Sequence, residues 1–404
     1  MVNNSISRRK FVTTSAVAIS GMTALGLSAA GKSLFKDDII KIGIIGTGSR
    51  GTGLLSLLKE MTGVELVACC DNIPSHLENG MTFASKGTKA YSEYRKLLDD
   101  KNVNAVIIAT PLYLHYEMAI AALEAGKHIF LEKSMTYDIQ QSLDLVKKVR
   151  NSKLVFQVGY QYRHYGLYHK VKEVITQKWL GKITHFECQY NRNSNWRVPV
   201  DDPKMERALN WRMYREYCGG PLSELCAHQI DMVNYMLDSH PIKVSGMGGI
   251  NYWKDGRDTY DNIRTIYEYP NGIKSSVTSV LSNAYNGYSI RILGDKATVE
   301  IQREKAFIYS ETTDNLKGTV DGVTGATIAA KTQGKPVELM FEKEGQPSLE
   351  PTIYALQDFI ECIHGRKKPV STVDTAKDTS IAIHMGNKAA DTETVQVWKP
   401  EYSA

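Results

Sequence analysis

Short apolar runs alternate with longer amphipathic segments in the first part of the chain. The apolar runs lie at residues 39–45, 65–70, 105–109, 128–131 and 154–158. Between them, apolar residues recur at three- and four-residue spacing, which predicts helices at 53–61, 117–125 and 139–150. Strands that alternate with helices in this way are typical of a parallel, doubly wound sheet. We therefore predict an α/β Rossmann domain over residues 38–160.

The pattern changes after Gly166, where strand-like segments predominate. A helical pattern at 168–177 precedes strand patterns at 183–190, 243–251, 262–269, 273–281, 288–293 and 298–301. Pro270-Asn271-Gly272 separates two of them, and an Asn-Gly pair between strand patterns is a strong hairpin signal. The remaining patterns predict a surface excursion at 312–346 and helices at 352–364 and 376–391. This part predicts an α+β domain over residues 161–404 with a large, mainly antiparallel open sheet.

The first 30 residues have the layout of an export signal. They contain no acidic residue, carry the cations Arg8, Arg9 and Lys10, and continue as an uncharged stretch rich in Ala, Ser, Thr and Gly. We predict a cleaved twin-arginine signal over residues 1–30, the twin-arginine export machinery as a partner, and a periplasmic mature protein. A retained membrane anchor is the alternative, because the stretch is long enough to span a bilayer, although it is weakly apolar.

Charge and cysteine content exclude several classes of function. The formal net charge of +5 falls to +2 without the first 30 residues, so nothing favours nucleic acid or an anionic membrane as a partner. The six cysteines show no Cys-x-x-Cys spacing, so we predict no metal site and mostly free, buried thiols. A metal site built from Cys218, Cys226 and His228 is the weaker alternative.

A glycine fingerprint follows the first apolar run. Gly46, Gly48 and Gly51 come after a predicted strand and open a predicted helix, which is the context that a dinucleotide-binding loop requires. Gly46 allows a tight turn, and Gly48 lets the backbone approach a pyrophosphate. The helix N-terminus then offers unpaired N–H groups to the phosphate charge. We predict that this loop, including Ser49 and Arg50, binds a dinucleotide.

Asp71 ends the next predicted strand, about twenty residues after the fingerprint, where an acid binds the adenine ribose hydroxyls. An acid at this position repels a 2′-phosphate, and the neighbouring Asn72 adds no positive charge. We therefore predict NAD rather than NADP as the cofactor, with Asp71 and Asn72 among the residues that bind it. A glycine loop beside a solvent-facing acid is the alternative interpretation.

Three further motifs follow in order: Thr110-Pro111 with His115, then Ala125-Gly126-Lys127-His128, then Glu132-Lys133-Ser134. With them, nearly all of the mature chain resembles the glucose–fructose oxidoreductase, inositol dehydrogenase and rhizopine-catabolism (Gfo/Idh/MocA) family. Ser134 stands where that family has a proline. The resemblance implies cofactor contacts for Thr110, His115, Glu132 and Lys133. It also places Lys133 beside the nicotinamide, where it holds the substrate alcohol; a lone lysine at a strand end is otherwise usually a solvated charge.

A second motif lies further along the chain. Gly219-Gly220-Pro221 predicts the start of a helix, and four-residue spacing places Glu224 and His228 on one face of that helix. The resemblance makes His228 the catalytic base and Glu224 the group that orients the substrate or imidazole, with Asp231 as the acid that follows the histidine. Glu224 replaces the family's aspartate, so we expect a different geometry or substrate. A buried structural His–Glu pair is the alternative.

Other polar and aromatic residues complete the predicted site. The resemblance implies that residues 159–163 join the two domains, with Gln161 contacting the cofactor and Arg163 the substrate. Trp211 and Arg212 are candidate saccharide ligands, because planar rings pack on sugar faces and guanidinium groups bind hydroxyls; Trp196 and Arg197 are weighed in the same way. Core packing is the alternative for the tryptophans.

Together these features predict an exported NAD-dependent oxidoreductase that acts on a ring secondary hydroxyl of a carbohydrate substrate. Free cofactor is scarce outside the cytoplasm, so the NAD would be held tightly and recycled by a second sugar or by an external electron acceptor. One alternative is an NAD-dependent glycosidase resembling the α-N-acetylgalactosaminidases, which oxidises transiently, eliminates, adds water and reduces again. Another is a sugar-binding protein with an idle site. The resemblance also implies a homodimer or homotetramer.

Overall fold

The computed structural model describes residues 39–312, 332–341 and 348–403. The predicted signal at 1–30 and part of the predicted excursion at 312–346 lie outside these ranges. Two sheets organise the described part of the chain, one parallel with six strands and one mixed with ten. The predicted fold class, a Rossmann domain followed by an α+β domain with a mainly antiparallel sheet, is confirmed.

The six-stranded sheet comes first along the chain. Its strands are β1 Ile40–Ile45, β2 Val64–Cys70, β3 Lys89–Tyr91, β4 Ala105–Ile108, β5 His128–Leu131 and β6 Phe156–Val158. They run parallel in the order β3-β2-β1-β4-β5-β6. All four residues of β4 are buried, because helices cover both faces of a parallel sheet. The topology places the carboxyl ends of β1, β2, β4 and β5 on one edge, where ligands of such sheets bind.

Helices flank this sheet on both sides. They are α1 Ser49–Lys59, α2 Pro74–Met81, α3 Tyr94–Asp99, α4 His115–Glu124 and α5 Ile139–Arg150. The apolar stripe of α1 buries Leu54, Leu55 and Leu58 in a core that it shares with the inward side chains of β1. The 3.6-residue spacing of those leucines is therefore what holds α1, and with it the glycine loop, against the sheet.

The ten-stranded sheet follows. Its strands are β7 Ile183–Tyr190, β8 Lys243–Gly249, β9 Asn262–Glu268, β10 Lys274–Val280, β11 Tyr288–Gly294, β12 Ala297–Gln302, β13 Lys305–Thr312, β14 Thr332–Gln333, β15 Val337–Glu338 and β16 Gln396–Val397. The order is β14-β13-β12-β11-β7-β10-β9-β8-β16, with β15 also on β13. Within the described ranges β7 and β10 pair in parallel and the other neighbours are antiparallel.

The Asn-Gly signal marks a hairpin between β9 and β10, as predicted. The N–H of Tyr269 donates to the carbonyl of Ile273 at 2.8 Å, and Asn271 has a positive φ of 64°. The predicted excursion at 312–346 is partly wrong, because β14 and β15 lie within it and pair with β13. Strands of two residues are too short to show a periodicity of two, so the sequence pattern does not reveal them.

The remaining helices pack on the second sheet or between the two sheets. They are α6 Gly166–Thr176, α7 Glu206–Leu209, α8 Ala227–Leu237, α9 Pro351–Ile363 and α10 Val373–Thr392, with a π-helix at Leu222–Cys226. α10 packs against β8 and α8 on one side and α5 on the other. α9, although late in the chain, buries Phe359 against Phe130 of the first sheet, with ring centroids 5.8 Å apart. These contacts join the two parts around the predicted site.

Among the described residues, no helix combines the length and the hydrophobicity that crossing a membrane would require. The same residues contain no group of three His, Cys, Asp or Glu side chains arranged to hold a metal ion. All six cysteines are buried and unpaired, as predicted. The thiols of Cys218 and Cys226 lie against the carbonyls of Arg212 and Thr278 respectively. Burial raises the pKa of the Cys69 thiol to about 12.

Candidate active site

The glycine loop has the geometry that a dinucleotide phosphate requires. Gly46 has φ +91°, and a Cβ there would lie 2.7 Å from the carbonyl oxygen of Ala109. A Cβ on Gly51 would lie 1.9 Å from the carbonyl oxygen of Gly46, so neither position accepts a side chain. Gly48 caps α1 without a side-chain hydrogen bond, and the first turn of α1 carries no acid. The helix N-terminus therefore stays open to an anion, which fits the pyrophosphate of NAD.

Asp71 is held in an orientation suited to a ribose. Its Oδ2 accepts the backbone N–H of Thr47 at 2.8 Å, and its Oδ1 accepts that of Ile73 at 2.9 Å. Burial raises the pKa of Asp71, but hydrogen bonds from His76, Ile73 and Thr47 outweigh it and hold the pKa below its usual value. The carboxylate is thus ionised at neutral pH. Asn72 and Ser49, also predicted to bind cofactor, are exposed at the same edge.

His76 is a residue of this region that the sequence did not single out. Its Nδ1 lies 3.6 Å from Oδ2 of Asp71, and its ring stands 3.6 Å from where a Cβ on Gly48 would be. It belongs to the first turns of α2, two residues after Pro74. Pro74 could have indicated His76 from the sequence. A proline just after Asp71 predicts the start of a helix, and the first turn of that helix lies close to the glycine loop.

We predict that replacing Asp71 by serine removes a preference for NAD over NADP. The wild type repels the 2′-phosphate with an ionised carboxylate, and the variant does not, so we expect the ratio of the two dissociation constants to fall by about tenfold, or about 1.4 kcal/mol. Fluorescence titration with each cofactor measures the ratio. Asp99→Ser, at an exposed acid of α3, is the matched control and should leave the ratio unchanged. A wild type that prefers NADP would contradict the assignment.

Glu132 ties the glycine loop to the end of β5. Arg50 Nε donates a hydrogen bond to its Oε1 at 2.7 Å, and the backbone N–H of Lys133 donates one to its Oε2 at 3.2 Å. Glu132 is 5% exposed, whereas the Arg50 side chain is 37% exposed, so only the carboxylate end of the pair is shielded from solvent. The predicted cofactor residues Arg50, Glu132 and Lys133 are therefore brought together at one edge of the sheet.

His115 contacts the backbone at the same edge of the sheet. Its Nδ1 lies 2.7 Å from the carbonyl oxygen of Ser134, and its Nε2 lies 2.9 Å from that of Thr110. Burial lowers the pKa of His115. The ring thus fixes the backbone of two predicted cofactor-binding segments, and both its nitrogens face protein atoms.

Several buried polar atoms in this region have no hydrogen-bond partner within the described part of the chain. They include Thr110 Oγ1, Tyr160 Oη, Gln161 Oε1, Ser223 Oγ and His228 Nδ1. Buried polar groups are normally paired, because an unpaired one costs about 1–3 kcal/mol. Thr110 and Gln161 were predicted to bind the cofactor, and His228 the substrate. These atoms therefore mark polar positions beside the predicted site that the described contacts leave unsatisfied.

Lys133 connects the first sheet to the second motif. Its Nζ donates to the carbonyl oxygen of Glu224 at 2.8 Å, and Ser134 Oγ donates to that of Ser223 at 3.1 Å. The peptide bond between Lys133 and Ser134 is cis. Burial lowers the pKa of Lys133, while the nearby Glu224 and Glu132 oppose that effect. The lysine therefore stands between the predicted cofactor residues and the predicted catalytic motif.

The helix around Glu224 differs from the prediction. Residues Leu222–Cys226 form a π-helix, and α8 begins only at Ala227. The expected four-residue α-helical spacing between Glu224 and His228 is therefore wrong, since a π-turn contains one residue more. Among the described contacts, no hydrogen bond or ion pair joins the two side chains, which removes the alternative of a structural His–Glu pair. Glu224 instead pairs through Oε2 with Nε of Arg212 at 3.0 Å.

His228 lies in an aromatic and cationic environment. Its ring contacts Tyr162, with centroids 5.1 Å apart, and it is 8% exposed. Burial lowers the pKa of His228 well below its ordinary value, and the charges of Lys133, Arg50 and Arg303 lower it further. The imidazole is therefore neutral at neutral pH. A neutral, unpartnered imidazole can accept a proton.

The predicted saccharide ligands Trp211 and Arg212 lie beside Glu224. The guanidinium carbon of Arg212 is 4.0 Å from the centroid of the Trp211 ring, and both side chains are half-buried. The structure thus brings Trp211, Arg212, Glu224 and Lys133 into one neighbourhood. The guanidinium of Arg197, in contrast, is already engaged, because it pairs with Glu206 and donates to the carbonyl of Asp255.

Arg163 is placed differently from its predicted role. Its Nε and Nη2 bind the carboxylate of Asp231 at 2.8–3.0 Å, and Thr379 Oγ1 donates to the same carboxylate at 3.0 Å. Arg163 is 5% exposed and Asp231 is fully buried. The contacts of Arg163 therefore support an internal role that fixes the segment Gln161–His164 on α8, and give no support to the predicted substrate contact.

Two family models match the chain. One, an oxidoreductase family with an NAD-binding Rossmann fold, covers residues 40–160, and the other, the C-terminal domain of the same family, covers residues 168–300. The chain belongs to the GFO/IDH/MocA family. The predicted family, the NAD-binding Rossmann domain and an NAD-dependent oxidoreductase are thereby confirmed.

Characterised relatives resemble the chain at modest identity. Levoglucosan dehydrogenase of Pseudarthrobacter phenanthrenivorans is 28% identical over 238 residues, which are 53% of this chain and 59% of that protein. The scyllo-inositol 2-dehydrogenase (NAD(+)) of Bacillus subtilis is 25% identical over 85% of this chain and 91% of its own length. The 2,7-anhydro-N-acetylneuraminate hydratase of Escherichia coli is 27% identical over 60% of this chain and 68% of its own.

A solved structure of levoglucosan dehydrogenase in complex with NADH and L-sorbose has the same fold. It superposes with a TM-score of 0.71 at 20% identity, covering 90% of this chain and all of the other. The shared architecture extends over both sheets.

Proposed function

We propose that this protein is an exported oxidoreductase that uses tightly held NAD to oxidise a ring secondary hydroxyl of a sugar or glycoside. One observation carries the proposal: a neutral, unpartnered His228 lies near Lys133 at the edge of the sheet where the NAD fingerprint opens. The two relatives that are named as dehydrogenases of levoglucosan and of an inositol support a sugar or polyol as the substrate.

In the proposed reaction each residue of the site has a separate role. Bound NAD supplies the acceptor for the hydride that leaves the substrate carbon. Lys133 Nζ, held by the carbonyl of Glu224, donates a hydrogen bond to the substrate hydroxyl and stabilises the negative charge that develops on it. His228 accepts the hydroxyl proton on its free nitrogen. Glu224 and Arg212, fixed to each other and backed by Trp211, bind neighbouring hydroxyls and orient the ring.

The export proposal rests on residues 1–30. Their twin-arginine pattern supports passage of a folded protein through the export machinery and a periplasmic location. Free NAD does not accumulate there, so the cofactor would be loaded in the cytoplasm and regenerated in place by a second sugar or by an external electron acceptor.

A second candidate keeps the site and changes the net reaction. The relative that is named as a hydratase supports a net reaction between a sugar and water. In this candidate NAD would oxidise the sugar transiently and would be restored in the same cycle. An NAD-dependent glycosidase would work in the same way, with elimination of the aglycone and addition of water between the two redox steps. Release of aglycone with no lasting NADH would favour this candidate.

Export and cofactor retention are tested together on protein isolated from the periplasm. We expect NAD to remain bound after dialysis, and NADH absorbance to appear in the protein when a sugar substrate is added. Replacing Arg8 and Arg9 by lysines should leave the protein in the cytoplasm with its NAD still bound. Periplasmic protein without NAD would contradict the captive-cofactor proposal, and bound NAD that no sugar reduces would favour the idle sugar-binding alternative.

Self-association is part of the same proposal. Met247 of β8 is 74% exposed and Ile266 of β9 is 53% exposed, and the antiparallel register places both on one face of the sheet. Such exposed apolar side chains on an open sheet support a homodimer or homotetramer through that face. Light scattering of the purified mature protein measures its mass.

A further inference from the structure

An open cavity, with both polar and apolar groups in its lining, lies at one end of the second sheet. Its volume of about 410 Å³ lies within the range typical of small-molecule sites, roughly 300–1,000 Å³. Tyr190 at the end of β7 and the residues that follow it form one side, and the loop between β10 and β11 forms another. Arg303, in the turn between β12 and β13, completes the lining. Three separate chain segments therefore converge on this cavity.

Two arginines meet at the same phenol in the cavity. Arg192 Nη2 and Arg303 Nη2 each donate to the Tyr190 hydroxyl at 3.1 Å. Within the described ranges, neither guanidinium forms an ion pair with a carboxylate. Each guanidinium has five N–H donors, so a single neutral oxygen leaves most of them free. The arginines are therefore gathered in one place without an anion to neutralise them.

The cavity adjoins the candidate active site through a row of aromatic rings. Tyr190 packs on Tyr288 with centroids 5.4 Å apart, and Tyr288 packs on Tyr162 at 5.5 Å. Tyr162 in turn contacts the ring of His228 at 5.1 Å. Burial lowers the pKa of His228 most, and Arg303 is one of the charges, after Lys133 and Arg50, that lower it further. The two arginines and His228 thus lie at opposite ends of one row of packed rings.

The charges around the site are unbalanced in favour of cations. Glu132 is paired with Arg50 and Glu224 with Arg212, so both nearby acids are already engaged. Lys133, Arg192 and Arg303 have no carboxylate partner among the described residues. An anionic substrate would supply the missing charge, and a carboxylate matches the planar fork of arginine in geometry as well as in sign.

We propose that the sugar substrate carries a carboxylate, as a uronic acid does, and that Arg192 and Arg303 bind this group while the ring reaches His228 and Lys133. The proposal rests on the proposed function and adds the class of its substrate. The polar side chains of Asn191 and Ser194, which also line the cavity, would bind hydroxyls next to the carboxylate.

Calorimetric titration of the NAD-loaded protein tests the proposal without requiring turnover. The probes are glucuronate, galacturonate and mannuronate, each paired with its neutral hexose. We expect at least one uronate to bind about tenfold or more tightly than its hexose, because a hydrogen bond between two charged groups is stronger than one between neutral groups. Arg303→Gln and Arg192→Gln should each remove most of that preference, and Arg303→Lys should restore part of it.

Arg291→Gln is the matched control, since Arg291 is an exposed arginine of the same sheet that pairs with Glu187 away from the cavity. It should leave the preference unchanged. Equal binding of uronates and hexoses would overturn the proposal, and so would tighter binding of glucose 6-phosphate than of any uronate. Failure of the proposed function would look different. The protein would still prefer uronates, and this preference would still depend on the two arginines, but the bound NAD would not be reduced.

Discussion

Replacement of His228 by alanine should lower the rate of NAD reduction by a sugar by about 10²–10⁴-fold, the usual contribution of a positioned general base. His228 is neutral, and its Nδ1 has no partner among the described residues, so the substitution removes the group that we propose as the acceptor of the hydroxyl proton. Rapid-mixing absorbance of bound NADH measures the rate. His185→Ala, at an exposed histidine of β7, is the control and should retain the wild-type rate.

The pH dependence of the rate of NAD reduction provides a second test of His228. Because the pKa of His228 lies well below its ordinary value, the neutral base predominates throughout the neutral range, and the rate should fall only as the pH drops toward that lowered pKa. Lys133→Met removes one of the cations that lower the pKa of His228. The acid limb of the profile should therefore move to higher pH, in addition to the loss of rate. A wild-type profile that falls already near neutrality would contradict a neutral His228.

Replacement of Arg163 by methionine should destabilise the protein by about 3–5 kcal/mol, because it leaves the carboxylate of Asp231 buried without its partner. Chemical denaturation measures the loss. Arg150→Met is the matched control: Arg150 pairs with Asp374 at the surface, where both side chains are about half exposed, and such a pair contributes about 0–1 kcal/mol. The double variant Arg163→Met, Asp231→Leu should recover much of the lost stability, because no buried charge is then left unpaired.

The other role considered for Arg163, a contact with the substrate, predicts a different result for Arg163→Met. If Arg163→Met kept its stability but bound sugar more weakly, the substrate contact expected from the sequence would be right and the internal role wrong.

Long periodic patterns predicted the architecture. The helix expected at 139–150 is observed as Ile139–Arg150, because its apolar residues follow a 3.6-residue repeat over three turns. The strand expected at 183–190 is observed with the same bounds. The Asn271-Gly272 hairpin is present because these residues tolerate the positive φ that the turn requires. Where the pattern was short, as in β3 and β16, no strand was predicted.

The site was only partly predictable, for physical reasons that differ from residue to residue. The fingerprint glycines and Asp71 are adjacent to strand ends, so local sequence reveals them. The π-helix at Leu222–Cys226 depends on tertiary contacts, in which Lys133 and Ser134 donate to its carbonyl groups. The pairing of Arg163 with Asp231 and the meeting of Arg192 with Arg303 join residues far apart in the chain, which no local pattern records.

Transfer of deuterium from a labelled substrate tests the central claim most directly. The NAD-loaded protein is mixed with a sugar that carries deuterium on its ring carbons, and the cofactor is then released by denaturation and weighed by mass spectrometry. The account predicts reduced nicotinamide that carries one deuterium from the sugar in the wild type, and very little of it in His228→Ala. With no second sugar or electron acceptor present, an oxidised sugar product beside bound NAD that remains oxidised and unlabelled would contradict hydride transfer to the cofactor at this site.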